Sequence, residues 1–195
     1  VGVPANVAPE TRRYYQQLTR FSSAFAFLAD ISMLVMGGDL KRKEKLSARM
    51  GDILSLMYLS SAVLKRYEAE GRQQTDAPLM HWAIWDAMFK AQNAFEGVVS
   101  NFPSRFVSTL LRRAIFPLGR PYMVPSDRLG GQVADLLIAP SATRNRLTAD
   151  MYLPRDEKDP VGVIELALEA TVQAEAIQAK IRVAVMNFEN NSTWA

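Results

Sequence analysis

The sequence predicts an all-α fold: an antiparallel helical bundle, a proline-rich wrapping segment and a final helix. Apolar residues in the first half recur at steps of three and four, the signature of helix faces turned to a core. No stretch alternates apolar and polar residues over a useful strand length. Prolines crowd the second half, where each removes an amide donor and interrupts helix. The expected organisation is a long-helix bundle over residues 1–101. Residues 102–195 would then hold short helices, an extended wrap and a C-terminal helix packed on the same domain.

The first helix is expected to begin near Pro9, with Ala8 or Thr11 capping it and Glu10 in the positive first turn. Tyr14, Leu18, Phe21, Phe25, Leu28, Ser32 and Val35 trace one face; Ala24, Phe27, Ile31 and Leu34 make the opposite side apolar as well. Gly37 and Gly38 stop it. Asp39 is expected to cap a second helix carrying Leu46, Met50, Ile53, Leu54, Met57, Tyr58 and Leu64, which Gly71 ends. Thr75 or Asp76 caps the third, where Pro78 is tolerated in the first turn. Its seam is Met80, Ile84, Ala87, Ala91, Ala94 and Val98.

Beyond Pro103 a shorter helix runs to Ile115, followed by Pro117, Pro121, Pro125, Pro140, Pro154 and Pro160. Short helices fit 126–137 and 141–149, and Phe116, Tyr122, Met123 and Tyr152 are expected to pack on the bundle. Asp159 and Pro160 start the last helix, a cap followed by proline at the first position. That helix carries Val163, Leu166, Ala170, Ile177 and Ile181.

Composition narrows the function. Hydrophobic residues are 49% and charged residues 22%, a globular balance. Cysteine is absent, which excludes disulfides and thiolate metal sites and fits a reducing compartment such as cytoplasm. The single histidine, His81, excludes multi-histidine metal sites and reads as a satisfied structural residue beside Trp82 and Trp85. The opening stretch has neither the basic start nor the apolar run of a secretory signal. It also lacks an initiator methionine, so a longer parent is expected. The most apolar run, Phe21 to Met36, contains Asp30 and reads as too short and too polar to span a bilayer. Asp30 itself is expected to pair with an arginine such as Arg49. Glu68 and Glu70 read as a solvated helix end.

Net charge is +3, but Lys41, Arg42, Lys43, Lys45 and Arg49 are clustered with only Glu44 among them. Such a cluster meets anionic lipid or phosphate, or is simply a solvated helix end. Arg112 and Arg113 beside an apolar corner at Phe116, with Arg120 following, form a second candidate contact surface. Alternatively, Arg120 pins the extended chain through backbone carbonyls while Phe116 and Tyr122 fill the core. Nucleic acid is not expected, because the basic residues are interrupted by acids and no recognised module is present. No glycine-rich phosphate loop occurs.

The runs RRYYQQLTRFSSAFAFLADISMLVMGG, GGDLKRKEKLSARMGDILSLMYLSSAVLKRYEAEGR, PLMHWAIWDA, IFPLGRPYMVPSD and PSATRNRL follow one another between Thr11 and Ala170. In that order they resemble the C-terminal region of bacterial FadE-type long-chain acyl-CoA dehydrogenases. Residues 182–195 depart from the family's pattern. The resemblance implies a parent flavoenzyme that uses FAD to oxidise an acyl-CoA thioester to the trans-2-enoyl-CoA, the first step of fatty-acid β-oxidation. It also implies a homodimer, cytoplasmic or peripheral at the inner membrane, with this segment packing on the catalytic body. The family's catalytic base lies in a Phe/Val-Glu-Gly-Thr/Ala-Asn motif upstream of the region resembled. Phe95-Glu96-Gly97 begins like that motif but continues with Val98 and Val99. No catalytic, cofactor or metal residue is therefore assigned here. The candidate contact residues are Lys41, Arg42, Lys43, Lys45, Arg112, Arg113, Phe116 and Arg120, and the segment alone is expected to be inactive.

Overall fold

A computed structural model describes residues 3–192; the first two positions and the last three, 193–195, lie outside it. Seven α-helices and two 3-10 turns, with no strand, occur among the described residues. The chain forms two compact units, Val1–Gly130 and Gly131–Ala195.

The first unit is built on α1 (Pro9–Met36), α2 (Glu44–Ala69) and α3 (Ala77–Ser100). Each helix starts and stops for a local reason. Pro9 opens α1, Gly37 closes it at φ +50°, and Gly71 turns the chain after α2 at φ +85°, conformations open to a residue without Cβ. Asp39 does not cap α2. It lies in a 3-10 turn, Gly37–Arg42, and α2 begins after Lys43 without a side-chain cap. A second 3-10 turn, Gln74–Asp76, leads into α3.

The directions follow from cross-helix contacts. The amide of Ala8 at the start of α1 meets Glu68 at the end of α2, and Arg49 early in α2 lies against Gly97 late in α3. Neighbours in sequence are thus antiparallel. The core between them contains Leu28, Ile53, Leu64, Ile84, Phe95, Val98 and Val99, all fully buried. Leu54 and Tyr58, expected in the apolar stripe of α2, are exposed; Ser60 and Tyr67, not expected there, are buried instead. Ser60 is admitted because its hydroxyl donates to the Leu56 carbonyl, 2.8 Å away.

α4 (Arg105–Ile115) starts at Ser104, whose hydroxyl accepts from the Val107 amide. Leu111 and Ile115 close the core from this side. The extended chain that follows is fixed at Tyr122, whose carbonyl and amide both bond the buried Gln92 side chain at 2.8 and 3.1 Å. Its ring stands edge-on to Phe21 and Trp85. Tyr122 and Phe116 pack as expected, whereas Met123 and Tyr152 are 72% exposed.

α1 with its following turn (Pro9–Arg42) is the one stretch among the described residues long and apolar enough to cross a membrane, with mean hydropathy 1.5. Length is therefore no objection to a span, contrary to the expectation from Phe21–Met36. Its Leu18, Phe21, Leu28 and Met36 nonetheless belong to the bundle core. Asp30 is exposed on this helix rather than buried.

In the second unit, α6 (Ala142–Leu147) is capped by Ser141 and α7 spans Pro160–Ser192. α5 (Asp127–Ile138) crosses the division between the units. Asp159 caps α7 as expected, accepting from the amides of Val161 and Gly162. A Cβ at Gly162 would collide with the Asp156 backbone, so the turn leading into α7 requires glycine there. Arg144 donates twice to Glu165, at 2.7 and 2.8 Å, and Arg155 pairs with Glu169.

Candidate functional site

The start of α1 is tied to the end of α2 by one carboxylate. Glu68 accepts from the Ala8 amide at 3.0 Å, from the Thr11 hydroxyl at 2.5 Å and from Arg72 at 2.6 Å. Burial raises its pKa, but these hydrogen bonds and the Arg72 charge outweigh burial and leave it below the usual carboxylate range. Arg72 also reaches the Asn6 carbonyl. Glu68 is therefore a junction rather than a solvated helix end. Beside it, the Tyr14 hydroxyl and His81 Nδ1 are 2.8 Å apart, and burial lowers the histidine's pKa. His81 is a satisfied structural residue.

The first predicted cluster stays on the surface. Arg42, Lys43 and Lys45 join Arg49 and Asn101 in lining a shallow depression of about 510 Å³, while Lys41 is exposed alongside in the 3-10 turn. Arg42 and Asp39, both largely exposed, are 3.9 Å apart, a separation that contributes little in water. Asn101 follows the C-terminus of α3, where partial negative charge on unpaired carbonyls favours cations.

The second cluster divides. Arg112 bonds Glu96 at 2.6 Å and Ser100 at 3.0 Å, so it serves the α3–α4 packing. Phe116 is half-buried and edge-on to Phe95. Arg113 and Arg120 are exposed. The carbonyl-pinning role expected of Arg120 falls to Gln92 on Tyr122 and to Arg20, which donates to the Ile115 carbonyl at 3.2 Å. Close to Arg113 in sequence, Phe106, Leu110 and Leu118 are exposed apolar residues. Residues 97–126 contain four arginines and no acidic residue.

Glu96 is held in the α3–α4 packing by Arg112 and Ser100. Burial raises its pKa, yet hydrogen bonds from Ser100 and Arg112 and the charges of Arg112 and Arg120 lower it overall. A carboxylate held ionised by such partners is a weak proton acceptor.

A larger groove, about 1160 Å³, runs beside the first half of α1 and escaped the sequence reading. Arg12, Arg13, Gln16, Gln17 and Arg20 form one wall, and Trp85, Leu118, Pro121 and Tyr122 line the groove as well. The side chains of Arg12 and Arg13 have no hydrogen-bond or ion-pair partner among the described residues. Burial raises the pKa of Tyr122, opposed by the nearby charges of Arg20 and Arg13. The legible signal was RRYYQQLTR, whose arginines fall on the wet side of a helix read only for its apolar face.

None of these surfaces fits a flavin. An isoalloxazine requires an enclosed apolar slot, whereas the α1 groove is open and walled by arginines and glutamines. No group of three or more potential metal-ligating side chains occurs among the described residues. No solved structure matches the chain. The family described as acyl-CoA dehydrogenase, C-terminal, bacterial type matches residues 1–193, and the chain belongs to it.

Proposed function

We propose that this chain is the C-terminal helical segment of an FAD-dependent, FadE-type long-chain acyl-CoA dehydrogenase, serving packing and assembly rather than chemistry. The parent oxidises acyl-CoA to trans-2-enoyl-CoA in fatty-acid β-oxidation and forms a homodimer. The family match over residues 1–193 carries the reading. The helices also expose apolar residues suited to a catalytic body, including Leu34, Leu59, Ile164 and Ile181. The full-length protein is expected to purify yellow, and long-chain acyl-CoA should bleach the flavin and reduce an electron acceptor. A colourless, inactive full-length protein overturns the reading. The segment alone should neither bind FAD, measured by flavin fluorescence, nor turn over substrate.

A second reading is contact with an anionic membrane surface. It is favoured by the acid-free run 97–126 with exposed Phe106, Leu110 and Leu118 beside Arg113 and Arg120. Sedimentation with phosphatidylglycerol vesicles tests it. Absence of binding at low salt removes the idea, as does binding unchanged by R113Q/R120Q together with neutralisation of Lys41, Arg42, Lys43 and Lys45.

A further inference from the structure

We infer that the groove beside the first half of α1 is a docking site for an acidic, extended polypeptide segment of a partner protein. The inference stands apart from the dehydrogenase reading, since it needs only the charge and shape of the groove. Arg12, Gln16 and Arg20 follow one another at intervals of four and share a helix face, with Arg13 adjacent. From Arg12 to Arg20 the helix axis advances about 12 Å. Among the described residues, no acidic side chain lines the groove. Cations without acidic neighbours, set in a concavity, concentrate positive potential and recruit carboxylates.

The extent of the groove selects the occupant. An extended chain covers about 12 Å in roughly four residues, at ~3.3 Å each, so carboxylates about four residues apart reach Arg12 and Arg20 together. A single phosphate is too compact to do so. A flat bilayer does not enter a concave wall. The apolar side is ready for a neighbouring side chain, with half-buried Trp85 and with Leu118 at 87% exposed.

The test is fluorescence anisotropy of a labelled glutamate-rich peptide of about eight residues, long enough for both arginines at ~3.3 Å per residue. The intact 195-residue chain is used. Binding is expected at low salt and should weaken as salt is added. R12Q/R13Q should weaken it about tenfold or more, with the helical circular dichroism unchanged. K65Q/K158Q, an equal charge loss elsewhere, should leave binding intact. Four results overturn the inference: no peptide binding at low salt, equal weakening by both double variants, ATP or pyrophosphate binding tighter than the peptide in an Arg12/Arg13-dependent way, or phosphatidylglycerol vesicles doing so. A colourless parent enzyme would leave this result untouched, so the two readings fail separately.

Discussion

The two units hold their helices by different means. The first buries Leu28, Ile53, Leu64, Ile84, Phe95, Leu111 and Val98 completely, with Phe21 meeting both Phe95 and Tyr122 edge-on. The second buries no large apolar side chain among its described residues; Thr143 is its one buried polar residue. Its contacts are directional and polar: Arg144 on Glu165, Arg155 on Glu169 and the Tyr152 hydroxyl on Asp159. Its apolar residues, such as Ile164, Ile177, Val185 and Phe188, are exposed. A closed core stabilises a unit on its own, whereas ion pairs and caps fix geometry without supplying the burial that offsets chain entropy. The first unit carries its own stability. The second leaves its apolar side chains exposed and is held by ion pairs and caps.

The comparison breaks most clearly at the two apolar sets. Phe95→Ala should destabilise the chain by about 3–5 kcal/mol, the usual cost of emptying a buried aromatic site. Ile177, 62% exposed, should tolerate alanine within about 0.5 kcal/mol. Urea unfolding followed by circular dichroism checks both, and comparable losses would erase the distinction between the units. A smaller effect is expected at the second unit's ion pair. Arg144 and Glu165 side chains are each 17% exposed, and Arg144→Ala should cost about 1.5–3 kcal/mol, the range for hydrogen bonds to charged groups. The loss should be local, read as faster amide exchange in residues 141–165 while α2 and α3 stay protected.

The smallest effects are titrations confined to the first unit. Glu68 and Glu96 have folded pKa values below the ordinary 4.5, so the unfolded chain binds protons more readily. Their stabilisation is whole above that value and is lost as pH falls through the depressed folded values. His81, depressed from 6.5 chiefly by burial, has the same sign: its contribution is whole above 6.5 and declines below it. Urea midpoints should therefore fall in two steps on acidification. His81→Gln should abolish the upper step and Glu68→Gln should reduce the lower one. A single step unchanged by either variant would contradict the assignment.

Periodicity made the long helices legible, because burial of one face leaves a pattern that needs no knowledge of the partner. Asp159 before Pro160 was equally local, whereas the expected cap at Asp39 gave way to a 3-10 turn. Leu54 and Tyr58 were misplaced because a helix with apolar residues on two sides does not announce which side the neighbours occupy. Glu68 looked like a solvated end because its partners, Ala8 and Thr11, lie far away in sequence. The α1 groove depends on chain segments as distant as Arg12 and Tyr122. It could not be assembled from spacing alone.

The sequence by itself determined the helical class, the main starts and stops, and the kinship carried by its long runs from Thr11 to Ala170. Those are properties of neighbours along the chain, where backbone geometry and side-chain shape act at short range. Only the tertiary structure decided which arginines are bound internally, as Arg112 is, and which remain to meet something else, as Arg12 and Arg13 do. Partner choice is set by distances through space, and folding brings residues together regardless of their separation in sequence.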